Sequence, residues 1–176
     1  PCRIQAEPGS VNEKQKGRLA GPDRTTVTAG RPMEVCMYLE AIVGGKGSGK
    51  TPIMLDQMER EAADKNANIV FIEYGQGVEH LVPHSVRRID IKEYPVRGYG
   101  QLIAFLAGMN AKDYDISHIY IDCVFQIAGA GTASELIAFI KNLETLARQV
   151  DCKITVALSY DPDQIPQEIK PYARYA

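Results

Sequence analysis

The hydrophobic positions along the chain change their period from one segment to the next, and this alternation predicts an α/β fold. Four segments are apolar runs bounded by glycine, proline or polar residues, as buried strands are: residues 35–43, 69–74, 116–125 and 153–159. Residues 86–91 alternate enough to predict one more, less buried strand, the third along the chain. Three segments between them carry apolar residues at helical spacing: 51 to about 65, 100–109 and 134–150. Because strands that alternate with helices pair in parallel, we expect a three-layer αβα domain over residues 33–176 with a mostly parallel five-stranded sheet.

Both ends of the chain depart from this pattern. Residues 1–32 are rich in glycine and proline and keep no period, so we expect an irregular N-terminal extension. It packs on the domain or on a neighbouring subunit, or it is partly of artificial origin with the natural start at Met33. After residue 159, Pro162, Pro166 and Pro171 predict an irregular tail with room for a helical turn.

A glycine-rich run lies between the first predicted strand and the first predicted helix. Gly44, Gly49, Lys50 and Thr51 match the pattern G-x-x-x-x-G-K-[ST] in the strand-to-helix context that a phosphate-binding loop needs. Glycines let successive N–H groups point inward, and the helix adds its N-terminal donors and its dipole. Lys50 would supply a cation to the outer phosphates and Thr51 a hydroxyl to Mg²⁺. Pro52 is compatible only with the first helical turn.

The predicted phosphate contacts come from one continuous run. Its members are Gly44, Gly45, Lys46, Gly47, Ser48, Gly49, Lys50, Thr51 and Pro52. Lys46 occupies a free position of the pattern, so exposure to solvent is the alternative for this residue.

An acidic residue follows the fourth predicted strand. Residues 119–121 are apolar and lead into Asp122, which resembles a Walker B element that holds Mg²⁺ through water together with Thr51. The alternative is a strand-end Asp in a turn. With the glycine loop, this element resembles the RecA-like (ASCE) branch of P-loop NTPases over residues 33–160, and the chain also looks like small stand-alone bacterial P-loop ATP-binding proteins.

That resemblance implies several properties of the fold and the ligand. ATP would be the ligand or substrate, with Mg²⁺ as the cofactor. The implied strand order is 5-1-4-3-2, with another strand between the two Walker strands. The phosphate loop would lie at the carboxyl edge of the sheet, where open α/β sheets bind their ligands.

The chain departs from this family right after the Walker B aspartate. Many members place a Glu there, and this sequence has Cys123. RecA-like proteins can instead use a Glu at the end of the second strand, which points to Glu73 as the general base or water-orienting residue beside the catalytic Lys50. A surface-loop carboxylate is the alternative for Glu73. Ser159 resembles the polar sensor residue of the same branch, or is an exposed strand-end serine.

Charge narrows the choice of partners. The net charge of −2 argues against a general polyanion-binding surface, and residues 126–134 contain no Lys or Arg, so we expect nucleic acid to bind weakly at most. One basic cluster consists of Arg87, Arg88, Lys92 and Arg97. We interpret it as a solvated face; the alternative is that Arg97 acts as an arginine finger. No N/T-K-x-D run and no D-x-x-G after Asp122 is present, which favours ATP over GTP.

Cysteine and histidine add little chemistry. Three cysteines lie in or beside apolar runs and are expected in the core: Cys36, Cys123 and Cys152. Three histidines are spread along the chain and are expected at the surface or in loops: His80, His84 and His118. Since no apolar run is long enough to cross a bilayer, we expect a soluble, cytoplasmic protein.

Three functions remain open from the sequence. The first is a slow Mg²⁺-dependent ATPase that uses ATP and ADP to switch a loop or an assembly state. The second is a small-molecule, nucleoside-type kinase, with residues 75–97 as the candidate acceptor region. The third is a nucleotide-responsive scaffold without turnover. Assembly into a homo-oligomer is suggested only by analogy with related folds.

Overall fold

The computed structural model describes residues 38–75, 77–129 and 131–176. The predicted extension over residues 1–32, the predicted domain start at residue 33 and Cys36 lie outside the described residues.

The described residues form six strands that pair into one sheet. The strands are β1 (Leu39–Gly44), β2 (Ile69–Glu73), β3 (Arg87–Asp90), β4 (His118–Ile121), β5 (Lys153–Ser159) and β6 (Ala173–Tyr175). Their order across the sheet is β3-β2-β4-β5-β1-β6, and every pairing is parallel. The α/β class and the parallel sheet are therefore confirmed.

The strand count and the strand order were predicted incorrectly. The sheet has six strands instead of five, and, numbered along the chain, β1 lies between β5 and β6 instead of between β5 and β4. The sixth strand has three residues and follows Pro171 in a polar tail, so it gives no apolar signal. The central strands are all buried on both faces, and their similar apolar composition does not encode which strands are neighbours.

Four helices connect the strands in the described part of the chain. They are α1 (Lys50–Glu61), α2 (Gly98–Lys112), α3 (Val124–Ala128) and α4 (Ala133–Gln149). The three predicted helices are present as α1, α2 and α4. The short α3 was not predicted: it begins within residues 116–125, which were expected to form a strand, and ends within residues 126–134. Its five residues are too few to establish a helical period.

The two faces of the sheet carry different helices. Met54 and Met58 of α1 pack with Phe71 of β2 on one face. Leu106 of α2 and Leu143 of α4 belong to the larger cluster on the other face. Neighbouring strand residues alternate between these two clusters, as the strand period of two requires. Because the strands are parallel, the carboxyl ends of β1, β2 and β4 lie at the same edge of the sheet.

The start of α4 is fixed by a capping box. The Thr132 hydroxyl accepts the N–H of Glu135 at 3.2 Å, and the Glu135 carboxylate accepts the N–H of Thr132 at 2.7 Å. Two N–H groups that have no partner within the helix are thereby satisfied.

His118 is buried between the sheet and the end of α1, so its predicted place at the surface or in a loop was wrong. The residue is 3% exposed. Its Nδ1 lies 2.6 Å from Glu61 Oε2, and its Nε2 lies 2.9 Å from the Thr155 hydroxyl. The ring also stacks on Tyr120, with 3.9 Å between the centroids. This polar cluster joins α1, β4 and β5 at the edge opposite the glycine loop.

The His118 cluster predicts a loss of stability in mild acid. Burial lowers the pKa of His118, so the unfolded chain takes up a proton near pH 6.5 before the folded protein does. Burial alone would raise the pKa of Glu61, but the hydrogen bond and charge of His118 and the charge of Lys153 outweigh it and lower that pKa. Both groups therefore destabilise the fold as pH falls, and the His118 contribution begins near pH 6.5.

His118→Gln tests this assignment through denaturant unfolding between pH 7 and pH 5. At pH 7 the change should cost about 1–3 kcal/mol, because buried hydrogen bonds are impaired. Its free energy of unfolding should then fall less with pH than that of the wild type. The control is His84→Gln, at an exposed histidine outside the cluster. A His118→Gln curve that runs parallel to the wild type contradicts the prediction.

Candidate functional site

The glycine loop connects β1 directly to α1. Gly47 and Gly49 have φ angles of +82° and +98°, a region that favours glycine. A Cβ on Gly44 would lie 2.2 Å from the Ser48 hydroxyl oxygen, so a side chain there would displace Ser48. Gly49 directly precedes the first turn of α1. It has no side chain that could accept a hydrogen bond from the first N–H groups of the helix.

Lys50 is turned back onto this loop. It is 7% exposed, and its ammonium group donates to the carbonyl oxygens of Gly44 at 3.0 Å and Gly45 at 2.7 Å. Burial lowers the pKa of Lys50, and the negative charge of Asp122 opposes part of that shift. The loop thus contains a desolvated cation at the N-terminal end of a helix.

Thr51 and Asp122 meet beside Lys50. The Thr51 hydroxyl donates to Asp122 Oδ2 at 2.6 Å, which links the first turn of α1 to the end of β4. Burial and the charge of Glu73 raise the pKa of Asp122, while the bond from Thr51 and the charge of Lys50 oppose the rise. Two residues that are far apart in the sequence therefore form one oxygen-rich corner.

This corner fits the oxygen ligands that Mg²⁺ prefers. Mg²⁺ is commonly held by one or two carboxylates together with phosphate oxygens and water, so it does not need an all-protein cage. Thr51 and Asp122 supply a hydroxyl and a carboxylate in direct contact. Among the residues that the structure describes, no group of three or more His, Cys, Asp or Glu side chains could hold a metal ion. A magnesium ion here would need the ligand's own oxygens.

Glu73 lies next to Asp122 at the same edge of the sheet. Ile72 pairs with Ile121, and the Asp122 N–H donates to the Ile72 carbonyl at 3.0 Å, so the two acidic residues follow a matched pair. Glu73 is 5% exposed, which rules out the alternative of a surface-loop carboxylate. Its Oε1 accepts from Arg88 Nη1 at 2.6 Å. Sequence reasoning missed this ion pair, because it depends on the pairing of β2 with β3.

The other residues singled out from the sequence lie at the carboxyl edge, in the core or at the surface. Ser159 is exposed and pairs in register with Gly44, so it lies beside the start of the loop. Cys123 is 1% exposed, and burial raises the pKa of its thiol, as a core residue requires. Cys152 is likewise buried. Lys46 and Pro52 are exposed.

The predicted basic cluster is divided among separate contacts. Arg87 pairs with Asp113 at 2.5 Å, whereas Arg88 pairs with Glu73. Arg97 donates from its guanidinium to the Val96 carbonyl at 2.9 Å, just before α2. All four residues of the cluster are nevertheless exposed to solvent.

A separate groove of about 550 Å³ lies between α2 and α4. Tyr99, Phe139 and Gly129 are among its lining residues. None of its lining residues lies within residues 75–97, the region predicted to hold the acceptor pocket of a kinase. Gly98, which directly follows that region, does line the groove.

Comparison with known proteins gives no relative: the chain matches no protein-family model and no curated protein sequence. None of the helices in the described part of the chain combines the length and apolar character that a membrane crossing needs.

Gly49→Ala tests the strained start of α1. An added Cβ meets no atom within 4 Å, so the cost should come from the positive φ alone and reach about 1–2 kcal/mol. The matched control is Gly108→Ala in the exposed middle of α2, which should stabilise the protein by roughly 0.5–1 kcal/mol. Denaturant unfolding measures both variants. Equal effects of the two changes would show that the loop does not hold this backbone geometry.

Proposed function

We propose that this chain is an ATP-binding protein of the RecA-like P-loop type and a slow Mg²⁺-dependent ATPase. One observation carries the proposal: the buried ammonium group of Lys50 and the bonded pair Thr51–Asp122 meet at the N-terminus of α1. A polyphosphate needs converging donors and a cation at such a helix end. The glycine loop supplies the backbone N–H groups for the same anion.

The sheet supports the proposed family in one respect. The two strands that carry the glycine loop and Asp122 are β1 and β4, and β5 lies between them. If β3 is set aside and the other five strands are renumbered along the chain, their order across the sheet is 5-1-4-3-2. The edge strand β3 is then an addition to the order that the resemblance implies.

The residues of the loop would act on the phosphates in defined ways. Lys50 would exchange its two carbonyl contacts for phosphate oxygens, while the backbone amides around Gly47 and Gly49 bind the remaining charge. Thr51 and Asp122 would hold Mg²⁺, which when bound neutralises charge on the phosphate oxygens. Glu73, one residue beyond the Ile72–Ile121 pair, would orient the attacking water.

Two further parts of the proposal concern use of the nucleotide. ATP is preferred to GTP because the guanine-reading run is missing from the sequence. Binding and hydrolysis would order and release a loop or an assembly of copies of this chain in the cytoplasm. The kinase and the scaffold remain alternatives, and turnover measurements separate them from the ATPase.

Replacing Lys50 by Ala should weaken Mg-ATP binding at least about 30-fold in calorimetry. Truncating one partner of a buried charged contact costs about 2–5 kcal/mol, which corresponds to a loss of affinity of about 30-fold to several thousand-fold. The control is Lys46→Ala in the same loop, where the side chain is exposed and the loss should be at most about fivefold. A loss of affinity in Lys50→Ala no larger than that of Lys46→Ala, with circular dichroism unchanged, contradicts the proposed site.

Glu73→Gln tests the mechanism by phosphate release. The ATPase predicts a fall in turnover of about 10²–10⁴-fold with Mg-ATP affinity retained. A scaffold predicts no release from the wild type in the first place. A kinase predicts that the wild type transfers phosphate to an added nucleoside faster than to water. Thermal unfolding of the variant checks that loss of the Arg88 contact has not unfolded it.

A further inference from the structure

Two residues of the edge strand β3 accept or donate hydrogen bonds at the end of β2 and in the turn that follows it. Arg88 donates from Nη1 to Glu73 Oε1 at 2.6 Å, and Asp90 Oδ1 accepts the N–H of Gly75 at 2.8 Å. Arg88 and Asp90 are two positions apart, so they lie on the same face of the strand. Glu73 and Gly75 are thus both hydrogen-bonded to side chains of β3.

The face concerned is the one that carries the candidate phosphate site. Arg88 pairs in register with Phe71, which packs with Met54 and Met58 of α1. Thr51 lies in the first turn of the same helix and reaches Asp122. Arg88 therefore approaches Glu73 on the α1 side of the sheet.

The two carboxylate oxygens of Glu73 have unequal partners. Oε1 receives the short charged bond from Arg88, whereas the contact of Oε2 within the described residues is one of 3.5 Å from the Gly77 N–H, at the outer limit of a hydrogen bond. The Glu73 side chain is 6% exposed, so it has little room to turn. Such an arrangement fixes one oxygen and leaves the other to accept from a water molecule.

We propose that Arg88 is a positioning residue that pins Oε1 of Glu73 so that Oε2 orients the water that attacks ATP. This inference rests on the proposed ATPase. In the step, the water oxygen bonds to the γ-phosphorus, and the bond from that phosphorus to the β–γ bridging oxygen breaks, with its electron pair leaving on ADP. The water proton passes to Glu73 Oε2 and from there to solvent. Arg88 itself touches neither the water nor the phosphate in this step.

The neighbouring Arg87 provides a matched control. It lies on the same strand, points to the opposite face and pairs with Asp113 at 2.5 Å. Its side chain is 47% exposed, compared with 31% for Arg88. Removing Arg87 tests the loss of an arginine and an ion pair from β3 without touching Glu73.

The experiment measures kcat, KM and Mg-ATP affinity for Arg88→Ala, Arg88→Lys and Arg87→Ala. Misplacement of a catalytic group typically costs about 100-fold in rate, so Arg88→Ala should lose about that factor in kcat and keep its affinity for Mg-ATP. Arg88→Lys retains a cationic donor and should recover part of the loss. Arg87→Ala should match the wild type. In the Glu73→Gln background, Arg88→Ala should cause no further fall in kcat, because both changes act on the same carboxylate.

Several results would overturn the inference. They are a kcat for Arg88→Ala equal to that of Arg87→Ala, a full further loss in the Glu73→Gln background, or joint loss of affinity and kcat. A wild type that binds Mg-ATP without any hydrolysis also overturns it, while the nucleotide site stands. A wild type that does not bind Mg-ATP refutes the proposed function itself, so the two failures are distinguishable.

Discussion

The rest of the site depends on the two hydrogen bonds that Lys50, at the start of α1, donates to the glycine loop. Lys50 is 7% exposed, and within the described part of the chain its ammonium group donates to the carbonyl oxygens of Gly44 and Gly45. A buried cation in a loop of backbone amides is expensive unless it serves an anion, because desolvation disfavours charge. The left-handed glycines make the turn narrow enough for this arrangement. Phosphate binding, as proposed, would account for that cost.

The parallel sheet then brings distant residues to the same edge. Asp122 and Glu73 follow neighbouring strands, and Ser159 ends the strand beside the loop. At the opposite edge, His118 joins the other end of α1 to β4 and β5. The helix that begins at Lys50 is thus attached to the sheet at both ends. These two attachments fix the position of α1 on the sheet.

The sequence allowed prediction of features that are encoded within a short stretch. The apolar periods indicated the α/β class, and the strand–loop–helix pattern located Lys50 and Thr51 at the start of α1. Features that depend on pairing between distant segments were missed. The strand order, the burial of His118 and the Arg88–Glu73 ion pair all arise from which strands are neighbours, and no local pattern records that. The three-residue β6 lacked any signal of its own.

Nuclear magnetic resonance titration of the ¹⁵N-labelled protein with Mg-ADP tests the central claim most directly. If the loop binds phosphate, the backbone amides of Gly45, Gly47, Gly49 and Lys50 should shift together with a single saturating dependence on nucleotide. Amides at the opposite edge, such as that of Lys153, should move far less. Saturating Mg-ADP or Mg-ATP that leaves the loop amides unshifted would contradict the account.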